Sequence, residues 1–421
     1  MMAFKWMATV MDAGTVPVSS ATAFSWLAFS EAERQRAHDA LGLLRDRDTR
    51  DELGIAGVRD AFSELLFPGT STIQTRAGYF LFVPWIYRGI ESAPGAGAAG
   101  RAKRAEQSLI ETLRRSDDPD GTIGLRAGPD VQRLPSSVYW QGLRTWRIRR
   151  ARASIPTYHA WLDHPFRRAV ERDDDRNLLD PHGESAWDLA LPPAPDNFPD
   201  GVSFWLRRPD AEYLRDKVML SCPGTLLAFL VDRGEAGVAA PAPWVHPQLA
   251  EFPPNIRETL EHAELFSLAM HGAALLYNLQ AAERAERHDL SVEYRGYLEE
   301  WAAEMNAAAS RLSAWPRERF WELARIGNPR IRADARRFID QWLNRVIPTG
   351  GAGLADDRQA QREVTRREIS VKGEKQARLA SPAALARWSG ASGSARMSFR
   401  WGTAQRIVDD IREAITAARA R

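Results

Sequence analysis

The chain has 421 residues, of which 44% are hydrophobic and 27% are charged, and its formal net charge is +2. This ordinary globular composition is enough for about two or three domains of roughly 150 residues, and it excludes a largely disordered chain. The small net charge excludes any argument for a nucleic-acid or membrane partner from overall charge. A single cysteine, Cys222, excludes an internal disulfide and a cysteine-based zinc site, so we expect a reducing compartment.

Helical periodicity runs along most of the chain and predicts a mainly α protein with minor β structure. In chain order, the predicted helices and apolar segments cover residues 30–44, 57–67, 73–87, 101–115, 138–146, 205–218, 225–231, 256–342, 356–369, 382–388 and 403–420. Pro84 should kink or end the third of these helices, and a short extended piece is predicted at 122–126. The long tract should break near His288, Pro316 and Pro329.

These segments predict a multi-helical N-terminal domain, a central helical domain with long loops and a small basic C-terminal subdomain. The predicted ranges are 23–153, 154–348 and 349–421, after an unstructured extension at 1–22. No stretch is long and apolar enough to span a bilayer. The extension is a poor secretion signal, because acidic and glycine residues interrupt its apolar part before about 7–15 residues are reached. We therefore expect a cytoplasmic protein with no membrane contact.

Several stretches match known motifs without the structural context that the chemistry needs. Gly95, Gly97 and Gly100 match the dinucleotide fingerprint, but no strand leads into them, so we interpret them as part of a linker. His159 and the nearby Asp163 and His164 lack the pattern of a metal site and are interpreted as solvated polar residues. Residues 368–375 contain two acid–lysine pairs, as some nucleases do, and are interpreted as a solvated surface. The sequence predicts no cofactor and no metal site.

The segment most typical of a functional surface is PSSVYWQGLRTWRIRR, residues 135–150. A serine-capped short helix with a polar start and a basic continuation resembles the recognition helix and wing of helix-turn-helix proteins. We therefore predict a helix-turn-helix-like, possible winged-helix-like unit at 101–152, of which residues 133–152 hold six arginines and no acid. The candidate nucleic-acid contacts are Ser136, Ser137, Gln141, Arg144, Arg147, Arg149 and Arg150. The alternative is a solvated helix beside an acidic neighbour such as 171–174.

A second basic segment, residues 362–406, holds eight arginines and two lysines against three glutamates. Trp388, Phe399 and Trp401 are interleaved with these charges. Aromatic side chains flanked by cations suit single-stranded nucleic acid, on which they stack. The same three aromatic residues could instead pack the C-terminal subdomain onto the helical body, and the sequence leaves both interpretations open.

Several short runs together resemble the uncharacterised bacterial domain-of-unknown-function family 6361. They are RDELGI (50–55), FPGTSTIQTR (67–76), YFLFVPW (79–85), LPSSVYW (134–140), ARL (377–379) and FRW (399–401). The resemblance covers nearly the whole chain from Phe24 onward and has two departures. Gly78 stands where the family pattern has a basic residue, and Arg147 stands where it has glycine. The resemblance implies no activity and no catalytic residues, but it implies genomic neighbours such as helicases, methyltransferases and nucleases in defence or mobile-element loci.

The leading hypothesis is a non-enzymatic nucleic-acid-binding or scaffold subunit of a bacterial anti-phage defence or mobile-element system. Its expected partners are DNA or RNA and a helicase, methyltransferase or nuclease subunit. A helical protein–protein adaptor with no nucleic-acid contact is the alternative, since many tryptophans could serve as interface anchors. A divergent metal-dependent nuclease that uses acids such as Asp51, Glu52 and Asp60 is less favoured, because no motif pairs them.

Overall fold

The structure is a computed structural model that describes residues 51–93, 95–164 and 185–417. In these ranges the α-helices are α1 (Ala56–Leu66), α2 (Tyr79–Ser92), α3 (Ala98–Arg114), α4 (Pro135–Thr145), α5 (Ile155–Asp163), α6 (Arg208–Ser221), α7 (Leu226–Arg233), α8 (Pro254–Arg284), α9 (His288–Ala307), α10 (Ala309–Ser313), α11 (Arg317–Gly327), α12 (Ala333–Thr349), α13 (Arg358–Lys372), α14 (Pro382–Leu385) and α15 (Trp401–Ala417). Short 3₁₀ helices cover Gly128–Asp130, Pro243–Val245, Leu249–Glu251 and Leu354–Asp356.

The mainly α prediction is confirmed, and the β structure of the described ranges is a single antiparallel bridge between Arg149 and Trp187. The predicted breaks in the long helical tract are confirmed by the separate helices α8, α9, α11 and α12. The extension predicted at 1–22, the helix predicted at 30–44 and the acidic segment 171–174 lie outside the described residues. Within the described ranges no helix has the length and apolar character needed to cross a membrane.

Helix α8 is the centre of the helical body, and helices α1, α9, α12 and α13 pack against it. Its apolar residues lie on every side rather than on one stripe, which is typical of a helix buried on all faces. Trp301 of α9 and Trp342 of α12 each donate their indole N–H to an α8 carbonyl, of Leu268 and Ala269 respectively. At Gly272 a Cβ atom would lie 2.4 Å from the Trp301 ring, so only glycine allows α9 to approach this closely.

Two local predictions are wrong, the start of the third predicted helix and the extended piece at 122–126. Helix α2 begins at Tyr79 instead of residue 73, and it continues past Pro84 to Ser92. The residues predicted as an extended piece at 122–126 form turns, because Gly121 and Gly124 adopt positive φ angles of 87° and 81°. The connection between α3 and α4 is therefore a long, turn-rich segment, residues 115–134, instead of the tight turn of a helix-turn-helix unit.

The aromatic residues of the C-terminal basic segment lie in the core. Trp388, Phe399 and Trp401 are all at least 90% buried. The Trp388 indole donates to the side chain of Asn278, and the Trp401 indole donates to the carbonyl of Ala240. The packing interpretation of these residues is therefore confirmed, and the interpretation as an exposed stacking surface is wrong. The hydrophobic core runs without interruption across the predicted domain boundaries near 153 and 348, which stay predictions.

Candidate nucleic-acid interface

The N-terminal end of α4 is held by a buried carboxylate on a neighbouring helix. Glu106 of α3 accepts hydrogen bonds from the Ser136 backbone N–H at 2.7 Å and from the Ser136 hydroxyl at 2.8 Å. Glu106 is fully buried, and this burial raises its pKa to about 7 despite the two hydrogen bonds. Ser136 is thus an anchor of α4, and its side chain does not face solvent.

The other three candidates within α4 lie on one side of the helix. Ser137 and Gln141 are exposed and Arg144 is half-buried, and their spacing of four and three residues places them on one side of the helix. The opposite side carries Tyr139 and Leu143, which are fully buried. Helix α4 therefore presents a polar stripe that ends in a cation at its C-terminal end.

Arg147, two residues beyond the end of α4, adopts an unusual backbone conformation. Trp146 stacks on Phe80 of α2 with ring centroids 3.8 Å apart, which fixes the end of the helix against the core. Arg147 then has a φ angle of 56°, in the left-handed region that ends many helices and favours glycine. The Ile148 N–H closes the turn on the Leu143 carbonyl at 3.0 Å. The Arg147 side chain is exposed.

Arg149 is buried, and its side chain links α4 to the segment that follows it. Its guanidinium donates hydrogen bonds to the backbone carbonyls of Trp140, Ala151 and Ala153. It lies over the Trp140 ring, 4.4 Å from the ring centroid, in cation–π geometry. Burial, and then the charge of Arg144, lowers its pKa to about 10. The structure therefore places Arg149 beneath the surface that its arginine neighbours form.

The remaining arginines concentrate positive charge at the C-terminal end of α4. Arg144 donates to the Arg150 carbonyl at 3.1 Å, and Arg150 itself is exposed. Partial burial, followed by repulsion from Arg152 and Arg147, lowers the pKa of Arg144. No carboxylate of the described residues lies within ion-pair distance of Arg144 or Arg147. We call the side chains of Ser137, Gln141, Arg144, Arg147 and Arg150 the α4 basic surface.

A second polar cluster joins the first described residues to the C-terminal segment. The Glu52 carboxylate accepts hydrogen bonds from Lys372, Arg378 and the Ser392 hydroxyl. Burial raises the pKa of Glu52, but its hydrogen bonds with Lys372 and Ser392 and the two nearby cations outweigh burial and lower it.

Glu368 is the second carboxylate of this cluster. Its two oxygens accept hydrogen bonds from Tyr277, Lys372 and the backbone N–H groups of Arg378 and Leu379, at 2.6 to 2.9 Å. Glu368 is fully buried, so the interpretation of the Glu368–Lys372 pair as a solvated surface is wrong. The partners that bury it come from α8 and from residues beyond α13, which the local pattern does not reveal.

The acids suggested for a nuclease have separate structural roles. Asp51 accepts hydrogen bonds from the backbone N–H groups of Ile55 and Ala56, both at 2.8 Å, and so caps α1. Asp60 pairs with its neighbour Arg59. Across the residues that the structure describes, no group of three or more His, Cys, Asp or Glu side chains could hold a metal ion.

The other motif candidates also have ordinary partners. His159 exchanges a hydrogen bond with the Tyr87 hydroxyl at 3.1 Å, and Asp163 accepts from the Ala98 N–H at the start of α3. The glycine-rich stretch joins α2 to α3, with Gly97 in a left-handed conformation directly before α3. The linker interpretation is confirmed for Gly95 and Gly97, and a helix instead of a strand precedes them, but it is wrong for Gly100, which lies in the first turn of α3.

Residues 21–415 match DUF6361, a family of unknown function. The chain belongs to this family. No curated protein and no solved structure matches it. The resemblance found in the sequence is thereby confirmed over nearly the full chain, while its association with defence or mobile-element loci stays a prediction.

The structure explains what each departure from the DUF6361 pattern changes. Gly78 precedes α2, and a Cβ atom there would lie 2.9 Å from the Phe82 ring, so this chain has no room for a basic side chain in the observed packing. Arg147 occupies a backbone conformation that glycine adopts more easily. At the first position glycine makes room for an aromatic ring, and at the second a charge is kept at a conformational cost.

Sequence reasoning missed Glu106, Lys372, Arg378 and Tyr277 as organising residues. Glu106 stands in an ordinary charged helix, and no spacing rule links it to Ser136, which is 30 positions later. Its position among the buried residues of α3 was the available signal, because a carboxylate on a buried helix face needs a donor.

Proposed function

We propose that this DUF6361 protein binds the phosphate backbone of nucleic acid with the α4 basic surface. It acts without catalysis of its own, as a binding or scaffold subunit of a bacterial defence or mobile-element system, beside a helicase, methyltransferase or nuclease. The geometry of α4 supports the first statement. The family resemblance of the sequence supports the second.

The strained backbone and the unpaired charge of Arg147 are the observation that supports this proposal most strongly. A non-glycine residue in the left-handed region costs about 1 kcal/mol relative to glycine. Here that residue is an exposed arginine close to other arginines, and it makes no ion pair with a described acid. Both the backbone strain and the charge repulsion oppose folding, and a bound polyanion would offset the repulsion. Strained residues of this kind are often found at functional sites.

The burial pattern indicates which part of α4 meets the ligand. The N-terminal end, which reads bases in helix-turn-helix proteins, is closed by Glu106 and the buried Ser136. The accessible end carries Gln141, Arg144 and Arg147, two of which are cations suited to phosphate oxygens. We therefore expect affinity that depends strongly on salt and weakly on base sequence.

The decisive experiment compares wild type with Arg147→Gly by fluorescence anisotropy, using single- and double-stranded DNA and RNA at about 50 and 200 mM salt. Arg147→Gly removes the charge and relieves the left-handed strain. We expect a higher melting temperature together with weaker binding, and a salt slope reduced by about one. Loss of binding then cannot be attributed to loss of folding.

Two variants serve as matched controls. Arg147→Lys keeps the charge at the same position and should bind nearly as wild type does. Arg325→Gly removes an exposed arginine of α11 that makes no ion pair with a described residue, and it should leave binding unchanged. Flat titrations with every nucleic acid, or equal losses in both glycine variants, would reject the proposal.

A protein–protein adaptor is the second candidate, and one exposed aromatic residue favours it. Trp205 is 65% exposed in the segment before α6, and large exposed tryptophans are common anchors of protein interfaces. A partner that co-purifies after nuclease treatment, and is lost in Trp205→Ala, would support this role. Retention of all partners by Trp205→Ala would argue against it.

A further inference from the structure

An open cleft at the C-terminal end of α13 is lined by an unusual excess of cations. Its lining residues are Glu52, Lys372, Gln376, Arg378, Ala384 and Arg387, and its volume is about 480 Å³. That volume lies within the range of roughly 300–1,000 Å³ found for small-molecule sites. Three of the six lining side chains are positively charged and one is negatively charged. The cleft therefore favours an anionic ligand.

The Arg378 guanidinium is held rigidly, with one side turned to its buried partners. Its Nη1 atom donates to Glu52 at 2.6 Å, to the Ser392 hydroxyl at 3.0 Å and to the Tyr277 hydroxyl at 3.3 Å. Its Nε and Nη2 atoms make no hydrogen bond to any residue that the structure describes. A fixed guanidinium with two free parallel N–H groups matches the oxygens of a phosphoryl group.

The carboxylates of the cluster are already neutralised. Glu52 and Glu368 are matched by Lys372 and Arg378, which leaves the charge of Arg387 in excess. The Arg387 side chain is exposed and has no ion pair with a described acid. An incoming anion would thus meet a net positive charge, together with the amide of Gln376 as an uncharged donor.

A smaller cavity also borders Glu52. It measures about 100 Å³, and its lining combines apolar side chains with Asp51, Glu52 and three arginines. Each of these arginines is paired with an acid, in the pairs Arg59–Asp60, Arg396–Glu304 and Arg400–Glu64. This space has room for a few water molecules and is too small for a nucleotide. The open cleft, on the side of Lys372, Arg378 and Arg387, is therefore the better site for a nucleotide and for an unpaired cation to meet its phosphoryl group.

We propose that this cleft binds a phosphoryl group, with the free edge of Arg378 and the side chain of Arg387 as its main ligands. The phosphoryl group belongs to a free nucleotide or to a nucleic-acid backbone, which share this chemistry. The site uses none of the residues of the α4 basic surface, so it can exist whether or not that surface binds nucleic acid.

The test uses the full chain and titrates inorganic phosphate, AMP, ADP and a short oligonucleotide by calorimetry, with sodium chloride at equal ionic strength as the reference. Arg387→Gln removes one ligand from an exposed position and should fold normally. We expect it to weaken binding about tenfold, the usual effect of losing one charge-assisted hydrogen bond. Arg362→Gln, an exposed arginine of α13 outside the cleft, is the matched control and should bind as wild type does.

The outcomes separate the two sources of the phosphoryl group. Saturable binding of AMP or ADP that Arg387→Gln weakens identifies a nucleotide site. Binding of the oligonucleotide alone, weakened by the same variant, identifies a backbone site. No binding beyond the chloride reference, or equal losses in Arg387→Gln and Arg362→Gln, overturns the proposal.

A second variant tests the geometry of the site. Arg378→Lys keeps the charge but removes the parallel N–H groups, and it should weaken phosphate binding at least as much as Arg387→Gln does. Circular dichroism checks that it remains folded. Arg147→Gly should leave phosphate and nucleotide binding unchanged, so failure of this site and failure of the α4 basic surface can be told apart.

Discussion

Two segments of this protein look equally basic in sequence but differ in how their cations are paired in the fold. Most cations of the C-terminal segment, residues 362–406, are paired with acids that are distant in sequence. These pairs are Arg367–Asp334, Lys372–Glu52, Arg378–Glu52, Arg396–Glu304, Arg400–Glu64 and Arg406–Asp120. In residues 133–152, Arg144 and Arg147 have no such partner among the described residues and repel each other. A local charge count therefore does not identify a binding surface until tertiary pairing is known.

The largest expected effect comes from removing a buried acid of the C-terminal segment, in which most cations are paired. Glu368→Ala leaves Lys372 and two backbone N–H groups without their buried acceptor. Removing one partner of a buried ion pair costs about 3–5 kcal/mol of the free energy of unfolding, measured by urea denaturation. Glu374→Ala, an exposed residue of the same segment, should change it by less than about 0.5 kcal/mol. Equal effects of the two substitutions would show that the cluster contributes no more than a surface charge.

The second effect concerns the anchor of α4 and depends on pH. The folded pKa of Glu106 is about 7, above the ordinary value of 4.5. Between these values the folded protein keeps a proton that the unfolded chain has released, so stability falls as pH rises from 4.5 to 7. The fall attributable to this group is about 3 kcal/mol.

Glu106→Gln tests that prediction, because the amide cannot ionise. Urea denaturation at pH 5 and pH 8 should show a smaller loss of stability in the variant than in wild type. Burial also raises the pKa of Asp410, to about 6, although the Arg76 charge opposes this. That residue contributes a slope of the same sign to both proteins, so only their difference reports on Glu106. If Glu106→Gln loses as much stability as wild type between pH 5 and pH 8, the raised pKa of Glu106 is contradicted.

A smaller effect on stability is expected from substitution of Arg147, after the end of α4. Arg147→Gly should raise the free energy of unfolding by about 1 kcal/mol, because glycine adopts the left-handed conformation without a Cβ penalty. Arg147→Ala removes the same charge and keeps that penalty. A stability gain in the alanine variant equal to that in glycine would assign the effect to charge repulsion instead of backbone strain.

The smallest effect concerns an exposed pair of the C-terminal segment. Arg406 and Asp120 are both more than 40% exposed, and solvent-exposed ion pairs contribute about 0–1 kcal/mol. Arg406→Ala should therefore barely shift the urea midpoint and should leave nucleic-acid affinity unchanged. A clear loss of affinity in this variant would mean that the C-terminal segment also contacts nucleic acid.

The candidate surface shows how far sequence reasoning reaches and where it stops. The outward positions of Ser137, Gln141 and Arg144 follow from helical spacing, and the structure places all three on the exposed or half-exposed side of α4. Ser136 and Arg149 belong to the same predicted set and are buried. Their burial depends on Glu106 and on the carbonyls after α4, contacts that no periodicity contains.

The sequence by itself determined the helical class, the approximate position of most helices and the family membership, because periodicity and short motifs are local properties. Only the tertiary structure decided which charges are neutralised and which aromatic residues are buried. Glu52 and Arg378 are 326 positions apart, and Arg76 and Asp410 are 334 apart. Such pairs form because packing around α8 brings remote segments together, and a buried charge is stable only where packing supplies its partner.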